Sequence, residues 1–139
     1  QLVEQIYGEW EDKLTEKNIT ANLNRPETPV IIELDGTQTS RILENLLSNI
    51  YKYSLENTRV YVDLFENDGV ELIIKNISKY PLNISTDELM ERFTRGDASR
   101  TTEGSGLGLS IAKSLTEVQG GSFEIDIDGD LFKTTIRFN

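Results

Sequence analysis

ENLLSNIYKYS, residues 44–54, is the stretch on which the reading of this chain turns. Ile42, Leu43, Leu46, Leu47 and Ile50 recur at spacings of three and four, which places them on one stripe of a 3.6-residue helix. The spacing predicts a helix over 40–53, with Thr39 or Ser40 as its cap. Arg41, Asn45, Asn49 and Lys52 then fall along another side, at i, i+4, i+8 and i+11. Asparagine is a mediocre helix former, because its amide competes for nearby backbone groups. Two of them inside one helix have two readings. In the first they face water, at a cost of about a few tenths of a kcal/mol each. In the second they line a site with amide oxygens and donors. An amide oxygen suits a hard cation such as Mg²⁺, and Lys52 adds a point charge for phosphate.

A second stretch, EGSGLGLS at 103–110, carries Gly104, Gly106 and Gly108 ahead of a helix expected from about Leu107 to Gln119. Gly120-Gly121 stops that helix. Glycines allow a ligand close to the backbone, and a helix start offers unpaired N–H groups to an anion. Gly106 is not followed by Lys, so the loop is not a Walker loop. The third glycine comes one residue too early for a Rossmann fingerprint, and a polar segment rather than a strand precedes it. A surface loop with a helix cap explains the same residues, so the loop alone leaves both readings open.

The rest of the chain narrows the field. Its 139 residues, 37% hydrophobic and 27% charged, suit one globular domain. No apolar run approaches the roughly 18 residues of a membrane span, and no signal peptide is visible, so the expected location is cytoplasmic. There is no cysteine, which removes disulfides and thiolate metal sites. The net charge of −10 argues against a nucleic-acid partner and requires any anionic ligand to find a locally positive pocket. There is no histidine, so imidazole chemistry must come from elsewhere. The chain starts at Gln1 with its one methionine at Met90, and reads as one domain of something longer.

Along the chain, Leu2, Val3, Ile6, Trp10 and Leu14 mark a first helix, and Ile19, Ala21 and Leu23 a short strand. PVIIEL at 29–34 reads as a second strand, with Asp35-Gly36 as its turn. RVYVDLF at 59–65 and VELIIK at 70–75 form a hairpin over Asn67-Asp68-Gly69. STDELMERF at 85–93 opens on a capping box, Ser85 with Glu88, and a polar loop follows over 95–102. SFEIDI and LFKTTIRF close the chain as a hairpin over Asp128-Gly129. Strands mixed with amphipathic helices predict an α+β fold, an antiparallel or mixed sheet with helices on one face.

NLLSNIYKYS, then ERFTRGDASR, then GSGLGLSIAK, in this order and spacing, resemble the catalytic ATP-binding domain of bacterial sensor histidine kinases, over about residues 30–138. That family lies in the GHKL superfamily with gyrase, the Hsp90 chaperones and MutL. The resemblance implies a two-layer α/β sandwich, the Bergerat fold, with a mixed, mostly antiparallel sheet, about three helices on one face and a lid over ATP. It implies Mg²⁺ and ATP as ligands. Asn49 matches the Mg²⁺ ligand, Asn45 the asparagine along the phosphates, Lys52 the basic phosphate contact and Tyr53 the aromatic near adenine. Phe93 matches the phenylalanine beside the lid, and Gly104, Gly106 and Gly108 the second glycine box. Leu107 and Gly108 open the phosphate-facing helix, while Arg95 and Arg100 sit where lid arginines reach the γ-phosphate.

One position departs from the pattern. The family's first glycine box is D-x-G-x-G after a strand, its Asp holding the adenine amino group. Here Asn76 stands at that Asp, and both glycines are missing. An Asn oxygen still accepts a hydrogen bond, though without charge.

ATPases of the group carry a water-activating Glu where this chain has Asn45, and an amide cannot act as a base. Glu44 is turned about 100° away on the helix. The expectation is therefore a kinase domain, with residues 1–18 leading from a dimerisation domain and 19–139 binding ATP. Its partners would be the phosphoacceptor histidine on that dimerisation domain and, indirectly, a response regulator, with no membrane contact of its own in a membrane-anchored parent. The alternatives are a non-catalytic nucleotide-binding or interaction module, and a serine kinase of the anti-sigma type.

Overall fold

In the computed structural model, residues 2–27, 30, 32, 34–66, 68–79 and 107–139 are described. Helix α1 (Leu2–Glu16) leads into strand β1 (Thr20–Asn24), and α2 (Gly36–Tyr53) follows. The hairpin of β2 (Arg59–Glu66) and β3 (Val70–Ile77) comes next, then α3 (Leu107–Val118), β4 (Ser122–Asp128) and β5 (Leu131–Phe138). The sheet order is β1-β2-β3-β5-β4. Only the β1–β2 pairing is parallel, and α2 lies in the crossover it requires. This is the α+β sandwich expected from the sequence: a mixed sheet with three helices. The proposed lid and the 85–93 helix lie outside the described residues.

Register explains the single core. Leu23, Val62, Ile74, Thr134 and Ile125 form one row across all five strands, and Leu64, Leu72, Ile136 and Phe123 form a row on the same face across four. Strand side chains alternate, so the next rows face the other way with Tyr61, Lys75, Lys133 and Asp126. Ion pairs and an aromatic contact cover that open face: Asp63–Lys75 at 3.8 Å, Glu71–Arg137 at 3.9 Å, and Lys75 over the Tyr61 ring at 5.7 Å. The helices close the apolar face. α2 sits centrally, with α1 packed along one side and α3 along the other. Ile6, Leu14, Leu109 and Ala112 bring the outer helices into the same core as Ile42, Leu46 and Ile50.

Two helices stop by the same device. Gly120, at φ 84°, follows α3, with Gly121 N–H donating to Thr116 O at 2.9 Å and Gly120 N–H to Glu117 O at 3.0 Å. Asn18, at φ 59°, follows α1, with Ile19 N–H donating to Leu14 O at 2.9 Å and Asn18 N–H to Thr15 O at 2.9 Å. Both are Schellman ends, and the second buries its characteristic apolar pair, Leu14 with Ile19.

α2 ends differently. Ser54 is extended, at φ −78° and ψ 142°, and forms an antiparallel bridge with Ser78. Two of the last carbonyls of α2, those of Tyr51 and Tyr53, are therefore met by other elements. Lys17 Nζ donates to Tyr51 O at 2.6 Å and Lys79 N–H to Tyr53 O at 2.9 Å, while Ser54 N–H takes Ile50 O at 3.0 Å.

Three expectations are corrected. α2 begins a turn earlier than periodicity indicates, at Gly36, because Asp35 is its cap: the carboxylate accepts from Gln38 N–H at 2.9 Å. The first turn, Gly36 to Thr39, has no apolar residue to announce it. The strand expected over 29–34 is not one where described. Val30, Ile32 and Leu34 take no ladder, and Ile32 and Leu34 pack against the core from irregular backbone. Alternating apolar residues require burial, which a covering loop supplies as well as a sheet does. The closing hairpin turns over Gly129-Asp130, since Asp128 pairs with Leu131 and Gly129, at φ 63°, takes the first loop position.

Candidate functional site

The site is built around α2. At 100° per residue, Asn45 and Asn49 lie on one shoulder of its apolar stripe, and Glu44 and Tyr51 on the other. α1 covers the second shoulder. Trp10 Nε1 donates to the Glu44 carboxylate at 3.0 Å, and the Trp10 and Tyr51 rings meet at 5.8 Å. Glu44 is thereby both turned from Asn49 and engaged by Trp10.

On the first shoulder, Asn45, Asn49, Lys52 and Tyr53 are half-buried, while Arg41 runs out to solvent. The water-facing reading of the asparagines is not what the structure gives. Asn45 Nδ2 is sealed from solvent and has no hydrogen-bond partner. An amide left so costs about 1–3 kcal/mol relative to a satisfied one.

α3 is aligned by its far end. Gln119 Oε1 accepts from Asp35 N–H at 2.8 Å, and Gln119 Nε2 donates to Thr39 Oγ1 at 3.5 Å. Since α3 packs along α2, it runs antiparallel to it. Twelve steps of 1.5 Å, about 18 Å, carry Leu107 back to the level of residue 50. The start of α3, at Leu107 and Gly108, thus lies beside the part of α2 that holds Asn49, Lys52 and Tyr53. A helix start carries amides without intrahelical partners and the positive end of the helix dipole, which together suit a phosphate.

The third wall is the end of β3. Leu55 N–H donates to Ile77 O at 2.8 Å, beside the Ser54–Ser78 bridge and the Lys79–Tyr53 bond. This stitching sets Asn76 under the end of α2. Asn76 is 4% exposed, and its Nδ2 donates to Ser54 Oγ at 2.9 Å. Its Oδ1 is buried without a partner. Asn45 Nδ2 and Asn76 Oδ1 are the two such side-chain atoms among the described residues.

Asn45, Asn49, Lys52 and Tyr53 thus share α2, Asn76 is tied to the end of that helix through Ser54, and Leu107 and Gly108 open the helix packed against it. Phe93, Arg95, Arg100, Gly104 and Gly106 lie outside the described residues. Sequence reasoning missed Ser54, which anchors Asn76 across 22 residues; no local signal ties the two. Among the described residues no group of three or more carboxylates is placed to hold a metal. A larger hollow of about 650 Å³ lies at the opposite end of α2, among Leu2, Val3, Ile32, Leu34, Ile42 and Phe138. Its walls are mostly apolar, with Glu4, Arg25, Glu27 and Thr39 also lining it. Among the described residues no helix is long and apolar enough to cross a membrane.

A helix shoulder of amides, a facing helix start and a mixed sheet beneath define a nucleotide-site architecture of the ATPase–kinase type. Residues 34–139 match the family model for the histidine kinase-, DNA gyrase B- and HSP90-like ATPases, and the chain belongs to that family. Its relatives include sensor histidine kinases. It is 33% identical to the sensor protein VanSC of Enterococcus gallinarum, over 99% of this chain and 37% of that protein. It is 32% identical to the sensor histidine kinase WalK of Bacillus subtilis, over 88% of this chain and 21% of that protein. The catalytic domain of the histidine kinase ThkA superposes with a TM-score of 0.80 at 23% identity, covering 99% of this chain and 89% of that one. The chain thus spans well under half the length of the curated relatives it matches.

Proposed function

We propose that this domain binds Mg²⁺-ATP between α2, the end of β3 and the start of α3, and donates the γ-phosphate to a histidine on the dimerisation domain of a sensor kinase. The observation that carries the reading is the pair of sealed, unpartnered amide atoms, Asn45 Nδ2 and Asn76 Oδ1. Each is an unmet hydrogen bond that a polar ligand can complete.

Asn49 supplies an amide oxygen to Mg²⁺, and Lys52 a positive charge to the outer phosphates. The start of α3 faces the same phosphates. Tyr53 and Asn76 hold the base. Phe93, Arg95, Arg100, Gly104 and Gly106 belong to the lid side of the same site by their match to the family pattern. With Asn45 an amide and Glu44 held by Trp10, no described carboxylate on this shoulder is placed to activate water. The site is thus built to orient the γ-phosphate for transfer rather than to hydrolyse it. Residues 1–18 lead from the dimerisation domain, and a response regulator takes the phosphoryl group next.

Calorimetric titration of Mg²⁺-ATP tests the binding step. Saturable binding by wild type that falls at least about tenfold in Asn49→Ala is expected from losing a hydrogen bond or ligand to a charged group. No binding by wild type, or unchanged binding by the variant, rejects it. Asn76 in place of Asp favours a second reading, a nucleotide-binding module without transfer. Supplying the dimerisation domain in trans with γ-labelled ATP separates the two, because label on its histidine excludes the silent module.

A further inference from the structure

The base end of the site carries a further consequence, which rests on the reading that Asn76 faces the purine. We infer that this site tolerates 6-oxo as well as 6-amino purine nucleotides, with the Asn76 amide serving as a two-way contact. A carboxylate at this position offers acceptors alone. It takes a hydrogen bond from an exocyclic amino group and repels a carbonyl oxygen. An amide offers both an acceptor and a donor edge, and its anchor decides which edge is presented.

The anchor here is Ser54, 1% exposed, whose Oγ accepts from Asn76 Nδ2 at 2.9 Å. A hydroxyl both donates and accepts. In the orientation observed, Nδ2 is held and Oδ1 is the buried atom left without a partner. That orientation suits a 6-amino group. Turned by half a rotation, Oδ1 accepts from the Ser54 hydroxyl and Nδ2 is presented instead. That orientation suits a 6-oxo group. Ser54 satisfies the amide equally in both, so one hydrogen bond is kept whichever base arrives.

The immediate strand neighbours of Asn76 do not bias the choice by charge. Strand alternation sends the neighbouring Lys75 to the opposite face, where it meets Asp63 at 3.8 Å and the Tyr61 ring at 5.7 Å. The residue paired with Asn76 on β5 is Phe132, buried and apolar. Discrimination at a polar contact is steep only when the wrong ligand leaves a buried group unpaired, and the reversible amide avoids that for either purine.

Calorimetry with the Mg²⁺ salts of ATP, ITP and GTP on the intact chain tests the inference, ITP differing from ATP only in its 6-oxo group and the N1 proton that goes with it, without the 2-amino group of GTP. The expected result is ITP binding within about tenfold of ATP, a difference of no more than roughly 1.4 kcal/mol. Asn76→Asp is expected to shift the ATP-to-ITP ratio at least about tenfold toward ATP, by repelling the 6-oxo oxygen. A wild-type preference for ATP of more than about a hundredfold overturns the inference, and so does a ratio unmoved by Asn76→Asp. The wild-type ratio decides even if the buried carboxylate prevents folding of the variant. Binding of ATP without ITP sinks the tolerance alone, whereas failure of all three nucleotides sinks the nucleotide reading with it.

Discussion

The two shoulders of α2 have opposite hydrogen-bonding accounts. On the α1 side every described contact is closed: Trp10 Nε1 with Glu44 at 3.0 Å, Lys17 Nζ with the Tyr51 carbonyl at 2.6 Å, and Lys13 over the Trp10 ring at 4.2 Å. On the side toward α3 and the end of β3, Asn45 and Asn76 each leave a buried amide atom unmet. The same helix, with the same apolar stripe, is finished on one side and unfinished on the other. A folded chain rarely leaves buried donors and acceptors unpaired without compensation. On the proposed function, the difference separates residues that hold the fold from residues that meet the nucleotide.

That contrast breaks most directly through stability. Glu44→Ala removes the acceptor of a part-buried indole N–H, and is expected to cost about 1–2 kcal/mol in denaturant unfolding while leaving Mg²⁺-ATP affinity in place. A large loss of affinity at unchanged stability would mean that the α1 shoulder belongs to the site. Asn45→Leu should act with the opposite sign. It replaces an unsatisfied amide with an apolar group of similar size, so the ligand-free domain gains up to about 1 kcal/mol while nucleotide binding weakens. Loss of both stability and binding would show that Asn45 is a structural residue.

Lys52→Ala sharpens the assignment of the phosphates. If Lys52 meets the outermost ones, ATP affinity should fall severalfold further than ADP affinity, an increment of about 1 kcal/mol. Equal losses would move Lys52 to the inner phosphates.

The smallest effect lies on the closed side. Burial, then the charge of Glu11, then the hydrogen bond to Glu11 at 3.3 Å push the Tyr7 phenol up to about 12. A folded pKa above the unfolded value of about 10 means that this contribution to stability is full below pH 10 and fades as pH rises toward 12. Absorbance titration at alkaline pH should show a late phenol component that is lost in Tyr7→Phe. Titration of all five tyrosines near pH 10 would contradict the arrangement.

Part of this arrangement is legible in the order of residues alone. The 3–4 spacing of Ile42, Leu43, Leu46, Leu47 and Ile50 names the buried side of α2, and the period of two in 59–65 and 70–75 names the central hairpin. The start of α2 is legible only in part, because Asp35 caps a first turn that lacks apolar residues. The 29–34 run shows the limit of periodicity: Ile32 and Leu34 are partly buried as the alternation suggests, but nothing pairs with them. Glu44 illustrates the converse. Helical geometry turns it away from Asn49, yet its engagement by Trp10, 34 residues earlier, has no local sign.

By itself the sequence determined the periods, the turn chemistry and the identity of the amides and charges on each helix face, because these follow from bonds and spacings within a few residues. Tertiary structure decided which of those faces met. Gln119 reaching Asp35 and Thr39 laid α3 antiparallel on α2 and set its start beside Asn49 and Lys52. The Ser54–Ser78 bridge brought Asn76 to Ser54 at the end of α2. Both are contacts between distant segments, made by hydrogen bonds that no local pattern encodes, and they decide what stands beside a helix with two odd asparagines.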